Sequence, residues 1–345
     1  MSTPTAPPDE PTAAAADPAE EAPPTRWQRL AAGSSTQIGL ILVALIAIFA
    51  ILQPSEFFDV PNARNIATDA AVLLVLAVGA TYVIVTAGID LSVGSVLVFS
   101  GVVSAKLMNS VGGNNWGVIL IGLGIALLAG LAWGLLNGFL VAKAKIPAFI
   151  VTLGTLGIAL GAALLITGGV DERQVPIKLI TTIGTGRVVG VPWLVVIAAA
   201  VCLVFGVLLS QTRFGRYTYA VGSTLEGTRR AGVNVDAHLI KVYALGGTCA
   251  GLAGFLSLAR FGTTSIGGHS TDNLDAIAAI VIGGTSLFGG VGTILGTVVG
   301  VFIPAVLRNG FVIVGVQPFW QQVAVGAVLI AAVYFDQLRR ARYAR

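Results

Sequence analysis

Long apolar segments separated by short polar stretches run through most of the chain. They begin after a tail, residues 1–25, that is rich in Pro, Ala and acidic residues and has no apolar period. Because about 20 apolar residues are needed to cross some 30 Å of hydrocarbon, each segment is a candidate membrane-spanning helix. The predicted spans are 36–52, 66–87, 91–108, 117–141, 147–168, 191–209, 238–260, 273–288, 290–308 and 319–336. The pattern predicts an all-α polytopic membrane protein with about ten transmembrane helices.

The eighth segment departs from this regular pattern. Its apolar stretch, 276–282, is short and runs into Gly283 and Gly284, and another glycine pair follows at 289–290. A short, glycine-broken segment inside a bundle is typical of transport pathways, where protein or a watery cavity covers the backbone. A tight turn between two ordinary helices is the alternative. The sequence leaves open whether this segment crosses the membrane fully.

Glycines spaced four apart mark the helix faces that are expected to pack closely. Such spacing allows a neighbouring backbone to approach. These glycines are Gly130, Gly134 and Gly138 in the fourth span and Gly292, Gly296 and Gly300 in the ninth. The two spans hold matching places in two five-span halves, which is compatible with an internal two-fold repeat.

Composition and charge indicate the class of protein and its orientation in the membrane. With 55% hydrophobic and 10% charged residues, the chain is too apolar for an ordinary soluble enzyme. The basic residues gather at 26–29, 143–145, 213–230 and 339–345. With ten crossings all four groups fall on one side, so the positive-inside rule predicts that both termini are cytoplasmic. The net charge of +4 is then explained by loops at a lipid bilayer, and no nucleic-acid partner is predicted.

The predicted organisation has three parts. Residues 1–25 form a disordered cytoplasmic tail, because their composition is too polar to build a core. Residues 26–338 form the transmembrane domain. Residues 339–345 form a basic cytoplasmic tail.

Several kinds of chemistry are missing from the sequence. No lysine follows a glycine, so a Walker phosphate-binding loop is excluded. His238 and His269 stand alone in the sequence, and we predict no metal site, no cofactor and no catalytic residue. An intramembrane enzyme would need a Ser–His pair or paired aspartates within spans, and none is evident. A secondary carrier would need buried carboxylates, for which Asp90 is the main candidate.

The turn at 88–95, with sequence GIDLSVGS, joins the second and third spans. Gly88 suits the left-handed position that ends a helix, and Asp90 or Ser92 suits the N-cap of the next one. A polar lining of a translocation path is the alternative role for Asp90 and Ser92. Asn273 and Asp275 are polar groups beside another helix break, and they are candidates for the same two roles.

The longest polar stretch on the predicted cytoplasmic side is 210–237. Within it, Ser223 and Glu226 have the spacing of a capping box, and Gly232 suits the position after the helix end. They predict a helix over 224–231, about 12 Å long. A short helix of this kind is marginal alone, so we expect it to dock into a partner. A solvated surface helix is the alternative.

Three motifs resemble the permease subunits of bacterial ABC importers for monosaccharides, the ribose/xylose/arabinose-type family. They are Gly88–Ser95 (GIDLSVGS), Asn137–Pro147 (NGFLVAKAKIP) leading into 152–155 (TLGT), and Leu274–Gly296 (LDAIAAIVIGGTSLFGGVGTILG). Branched-chain amino-acid permeases look similar in architecture but differ where this chain has GIDLSVGS. The resemblance covers the chain from the first span to Asp336.

The resemblance implies a transport subunit in the bacterial cytoplasmic (inner) membrane whose energy comes from partners. These are a second permease copy, as a homodimer or heterodimer, an ABC ATPase on the cytoplasmic side and a periplasmic or lipid-anchored sugar-binding protein outside. It also implies that the stretch from Ser223 to Gly232 is the coupling helix. ATPase contacts are expected at Leu225, Glu226, Arg229 and Arg230. A permease for a branched-chain amino acid or other small polar solute, and a secondary carrier, are the alternative functions.

Overall fold

The computed structural model describes residues 34–317 and single positions at 320, 323, 326, 327, 330 and 334. This part of the chain is almost wholly helical. The helices, numbered in chain order, are α1 (Ser34–Leu52), α2 (Pro54–Phe57), α3 (Val60–Val85), α4 (Val93–Val111), α5 (Trp116–Ala142), α6 (Ala148–Thr167), α7 (Ile177–Leu179), α8 (Trp193–Gln211), α9 (Arg213–Ser223), α10 (Leu225–Arg230), α11 (Val235–Phe261), α12 (Asp272–Ile282) and α13 (Ile294–Ile313). A π-helical turn, Ile180–Gly184, continues α7, and a 3₁₀ turn, Gly267–His269, precedes α12. One small antiparallel hairpin pairs β1 (Arg187–Val188) with β2 (Val191–Pro192).

Seven of the described helices are long and apolar enough to cross a membrane: α3, α4, α5, α6, α8, α11 and α13. They correspond to the predicted spans at 66–87, 91–108, 117–141, 147–168, 191–209, 238–260 and 290–308. Helix α1 matches the first predicted span, but its apolar part, Ile38–Leu52, is shorter than these. The tenth span, 319–336, and both predicted tails fall on residues of which only six single positions are described. The polytopic all-α fold is confirmed, and the count of ten spans is not.

The eighth predicted span, 273–288, is not one continuous helix, in keeping with its glycine-broken sequence. Helix α12 ends at Ile282, and its 11 residues cover only about 16 Å. Gly284, Gly289 and Gly290 all have positive φ, at 86°, 79° and 74°. Only glycine adopts this region without a steric cost, so the glycines turn the chain instead of extending the helix. The stretch before α12, 262–271, is irregular apart from the 3₁₀ turn Gly267–His269.

Helix α3 is the centre of the bundle, and nearly all of its apolar stretch is buried. It packs against α11, α13, α8 and α12. The predicted glycine spacing serves the most extensive helix contact within the described residues, between α5 and α11. At Gly130 and Gly134 an added methyl group would overlap backbone atoms of α11 at Gly247 and Tyr243. The seam therefore brings the two backbones into direct contact.

Large apolar side chains cover the outer faces of the peripheral helices. Leu128 of α5, Leu165 of α6 and Leu203 of α8 are 59%, 86% and 69% exposed. Soluble proteins rarely expose apolar surface so continuously. These faces fit a hydrocarbon environment.

One end of the bundle collects basic side chains around Asp236, at the start of α11. Lys145 Nζ lies 2.8 Å, Lys143 Nζ 3.5 Å and Arg229 Nη2 3.3 Å from its carboxylate oxygens. The second and third predicted basic groups thus meet at one end, which we call the Asp236 end.

The opposite end of the bundle holds both acidic and basic side chains. Lys106 Nζ lies 2.8 Å from Glu172 Oε2, and Arg260 Nη2 lies 2.7 Å from Asp69 Oδ1. Along α11 this end, the Glu172 end, is about 36 Å from the first. That separation suffices to cross a bilayer.

Candidate functional site

The turn between α3 and α4 forms a closed polar cluster. Asp90 Oδ1 accepts hydrogen bonds from Ser92 N at 2.8 Å and from Ser92 Oγ at 2.6 Å. Asn137 Nδ2, from α5, donates to Ser92 Oγ at 2.9 Å. Asp90 and Ser92 are 4% and 0% exposed. The Ser92 side chain makes no capping bond to α4, so Asp90 fixes the turn by a local bond to the Ser92 amide.

The predicted role of Gly88 is wrong. The left-handed residue at this helix end is Ala87, with φ of 61°, and Gly88 is not among the residues with positive φ. A methyl group at Gly88 would lie 2.8 Å from the hydroxyl of Tyr243 and 3.0 Å from a methyl of Val83. Glycine is needed there because the turn packs against α11.

The other two candidate polar residues lie in the first turn of α12 and face different neighbours. Asn273 Nδ2 donates to the carbonyl of Leu91 at 3.1 Å, which ties α12 to the α3–α4 turn. The Asp275 carboxylate is buried and forms an ion pair with Arg308 of α13. The structure thus joins Asn273 to the Asp90 cluster and holds Asp275 apart from it.

A cavity of about 530 Å³ with a mixed polar and apolar lining opens at the Glu172 end, and we call it the Arg260 cavity. It lies between the start of α3, the end of α11, the end of α13 and the stretch 268–272. Its polar lining residues are Asn65, Asp69, Arg260, His269, Asp272, Arg308 and Asn309. None of them was predicted, because they come from four separate parts of the sequence.

His269 does not stand alone, contrary to the sequence-based expectation. Its Nε2 lies 2.7 Å from Ser257 Oγ, and its Nδ1 lies 2.7 Å from Asp272 Oδ2. A Ser–His–Asp arrangement therefore exists, which was also not expected. Ser257 is only 3% exposed, so its hydroxyl is shielded from solvent and serves to orient the ring. His238 is paired as well, with Nε2 3.0 Å from Thr218 Oγ1.

A second cavity, of about 580 Å³, lies between α3, α8 and α13. Its lining is almost entirely apolar, with residues such as Leu74, Leu203 and Phe302. It offers few polar partners to a hydrophilic solute.

Helix α10 lies where the sequence predicts a helix, but a different residue caps its N-terminus. Its N-cap is Thr224, whose Oγ1 accepts from Gly227 N at 3.3 Å. Ser223 is the last residue of α9, and its hydroxyl donates to the carbonyl of Tyr219 at 2.9 Å. The predicted capping box is wrong because α9 continues through Ser223 and moves the start of α10 by one residue. The helix end is as predicted, since Gly232 has φ of 84°.

The proposed coupling residues form an exposed surface at the Asp236 end. Leu225, Glu226, Arg229 and Arg230 are all exposed, while Thr228 is buried on the inner side. Arg229 holds the geometry by reaching both Glu226 Oε1, at 3.4 Å, and Asp236 Oδ1, at 3.3 Å. An apolar side chain and three charged ones thus face outward on one short capped helix.

The stretch 283–293 lies directly beside the start of this helix. A methyl group at Gly290 would come within 2.6 Å of the Ser223 hydroxyl and 3.2 Å of its Cα. Tyr219 OH donates to the carbonyl of Gly292 at 2.7 Å. Burial raises the pKa of Tyr219, so the phenol stays protonated as a donor. Helix α12 together with the stretch 283–293 therefore connects the Arg260 cavity, where Asp272 lies, to the neighbourhood of α10.

Comparison with known proteins identifies the family that this chain matches. The sequence profile described as "Branched-chain amino acid transport system / permease component" matches residues 62–333. No solved structure matches the chain with significance.

Several relatives are similar over most of their length. The ribose import permease protein of Escherichia coli (strain K12) is 38% identical over 307 residues, covering 87% of this chain and 93% of the relative. The fructose import permease protein of Rhizobium meliloti is 36% identical over 306 residues, covering 86% and 84%. The autoinducer 2 import system permease protein of Yersinia enterocolitica is 33% identical over 320 residues, covering 89% and 87%.

Proposed function

The chain belongs to the family of the branched-chain amino acid transport system permease component, and from this membership we propose that it is the membrane-spanning permease subunit of an ATP-driven sugar importer. The observation that carries the proposal is the set of relatives. Import permeases for ribose, allose, fructose and galactose are 35–38% identical to it over most of the chain. The resemblance to monosaccharide permeases deduced from sequence motifs is confirmed at the level of the family.

The proposed energy source is a partner ATPase that docks on α10. Two features support this assignment. The exposed residues Leu225, Glu226, Arg229 and Arg230 offer an apolar contact framed by charges. The stretch beside them, 283–293, connects directly to α12, so a push on α10 has a short route into the bundle.

The proposed orientation places the Asp236 end in the cytoplasm of a bacterial cell and the Glu172 end outside the inner membrane. The basic side chains of Lys143, Lys145 and Arg229 at one end support it through the positive-inside rule. A sugar-binding protein would then deliver its cargo to the Glu172 end. A second permease copy completes the proposed assembly, with both termini on the cytoplasmic side.

A permease for a branched-chain amino acid is the second candidate function, because the family description names that substrate class. The sugar importer and the amino-acid importer differ in the solute that the soluble binding protein recognises. A thermal-shift screen of the binding protein encoded beside this chain should show stabilisation by one sugar and none by leucine, isoleucine or valine. The reverse pattern would replace the sugar proposal.

Reconstitution tests the dependence on ATP. Co-expressed with its genomic neighbours, the chain should co-purify with an ATPase that carries Walker motifs, and the complex in proteoliposomes should accumulate the sugar only with ATP. Flux of the sugar through this chain alone, without ATP, would show a secondary carrier instead.

A further inference from the structure

The charges around the Arg260 cavity are balanced within the protein. Arg260 pairs with Asp69 at 2.7 Å, and Arg308 pairs with the buried Asp275. His269 Nδ1 lies 2.7 Å from Asp272 Oδ2. Within the described residues, neither arginine of the lining is left without a carboxylate.

This balance discriminates between kinds of sugar. An anionic ligand, such as a sugar phosphate or a sugar acid, would have to displace a carboxylate from an arginine. It would also meet the negative charges of Asp69 and Asp272 in the lining. A neutral polyhydroxyl ligand needs no such exchange, because its hydroxyls donate to carboxylates and accept from guanidinium groups at the same time.

The shape and the remaining lining fit the same class. A volume of about 530 Å³ falls within the roughly 300–1,000 Å³ that is usual for small-molecule sites. Asn65 and Asn309 add amide donors and acceptors, and Phe261 adds an aromatic surface for the apolar face of a ring. The cavity is thus lined on several sides by groups that recognise hydroxyls.

We propose that the Arg260 cavity is a binding site for neutral monosaccharides within the permease itself, at the end where the sugar enters. The assignment rests on the proposed sugar-import function and adds a site and a charge class to it. Ser257 and Asp272 hydrogen-bond the two ring nitrogens of His269, so this ring of the lining is already oriented before a sugar binds. Because Asp272 lines the cavity and lies in the first turn of α12, the bound sugar contacts the helix that continues into the stretch 283–293 beside α10.

Protection of an introduced cysteine tests the site directly. Asn65 is exposed and lines the cavity, so Asn65→Cys is made with Cys202→Ala and Cys249→Ala in the permease bound to its ATPase, without the sugar-binding protein that would also cover this end. Millimolar d-ribose, d-fructose or d-galactose should slow maleimide labelling about threefold, as occupancy of two thirds of the sites would. d-Gluconate and d-ribose 5-phosphate should not slow it. Ser110→Cys, exposed at the same end of α4 but outside the cavity lining, is the matched control.

Uptake by the reconstituted importer tests the role in transport. Asn65→Trp should lower the uptake of the transported sugar by about tenfold, while Ser110→Trp leaves it unchanged. Absence of protection by every neutral sugar, equal protection by the anions, or normal uptake in Asn65→Trp would overturn the assignment. If the wild-type importer takes up no sugar, the proposed function fails, and the labelling result still decides whether the cavity binds neutral sugars.

Discussion

Replacing Asp90 by alanine is expected to destabilise the protein without changing which sugar it carries. The substitution removes the one acceptor that holds both the amide and the hydroxyl of Ser92. Both donors are buried, since Ser92 is 0% exposed. The hydroxyl can rotate toward another acceptor, but the amide cannot.

The magnitude follows from counting these donors. Leaving one buried donor unsatisfied costs about 1–3 kcal/mol, so the loss of the acceptor should cost roughly 2–4 kcal/mol when the partly rescued hydroxyl is included. Asp90→Asn keeps an acceptor oxygen in the same place and should cost about 1 kcal/mol. The Asn137 amide, which donates to the same hydroxyl, makes the three residues one unit, so their effects should not add.

Thermal unfolding of the purified permease, followed by fluorescence-detected size exclusion, measures these differences. Asp90→Ala should unfold clearly below the wild type, Asp90→Asn should lie between them, and adding Ser92→Ala to Asp90→Ala should cost less than the sum of the two single changes. Sugar preference in uptake assays should be the same for every variant that folds. An Asp90→Ala protein with wild-type stability and an altered preference would refute the structural interpretation of this cluster.

Three further predictions concern α10, the glycine seam and α12. Changing Glu226 and Arg229 together to alanine should abolish sugar uptake while the fold and the ATPase activity of the complex persist. The control Arg173→Ala, exposed at the other end, should leave uptake intact. Normal uptake in the double variant would contradict the assignment of α10. Gly134→Ala should impair folding, because a methyl group there overlaps the α11 backbone. At Gly154 of α6 an added methyl group meets no atom within 4 Å, so Gly154→Ala should be neutral. Expression level and melting temperature measure both variants. Asp275→Asn leaves Arg308 without its carboxylate. Because the arginine is partly exposed, the free energy of unfolding should fall by about 1–3 kcal/mol. Adding Arg308→Gln to the same chain should recover part of the lost melting temperature.

The long helices could be predicted because their signal is local. An uninterrupted apolar run such as 66–87 reports a helix long enough to cross a membrane wherever its neighbours lie, and the structure places α3 there. The glycine spacing in α5 likewise predicted close packing, although the partner helix could not be named from the sequence. The cap of α10 was misplaced by one residue because Ser223 and Thr224 are both good capping residues, and only the extent of α9 decides between them.

The Arg260 cavity could not be predicted because its polar groups meet only through the tertiary fold. Ser257 and His269 are 12 residues apart, on a helix and on an irregular stretch, and their contact depends on the path of 262–271. Asp275 and Arg308 are 33 residues apart on separate helices. A hydropathy pattern carries no information about such pairs.

The contact between the backbones of α5 and α11 restricts how this protein can change shape. At Gly130 and Gly134 the seam leaves no space for a side chain, and a slide by one helical turn would place Ala126 where Gly130 lies or Tyr243 where Gly247 lies. Shear, the small sliding that packed helices use in many domain motions, is therefore closed to this pair. The two helices must therefore move together as one body when the bundle changes shape.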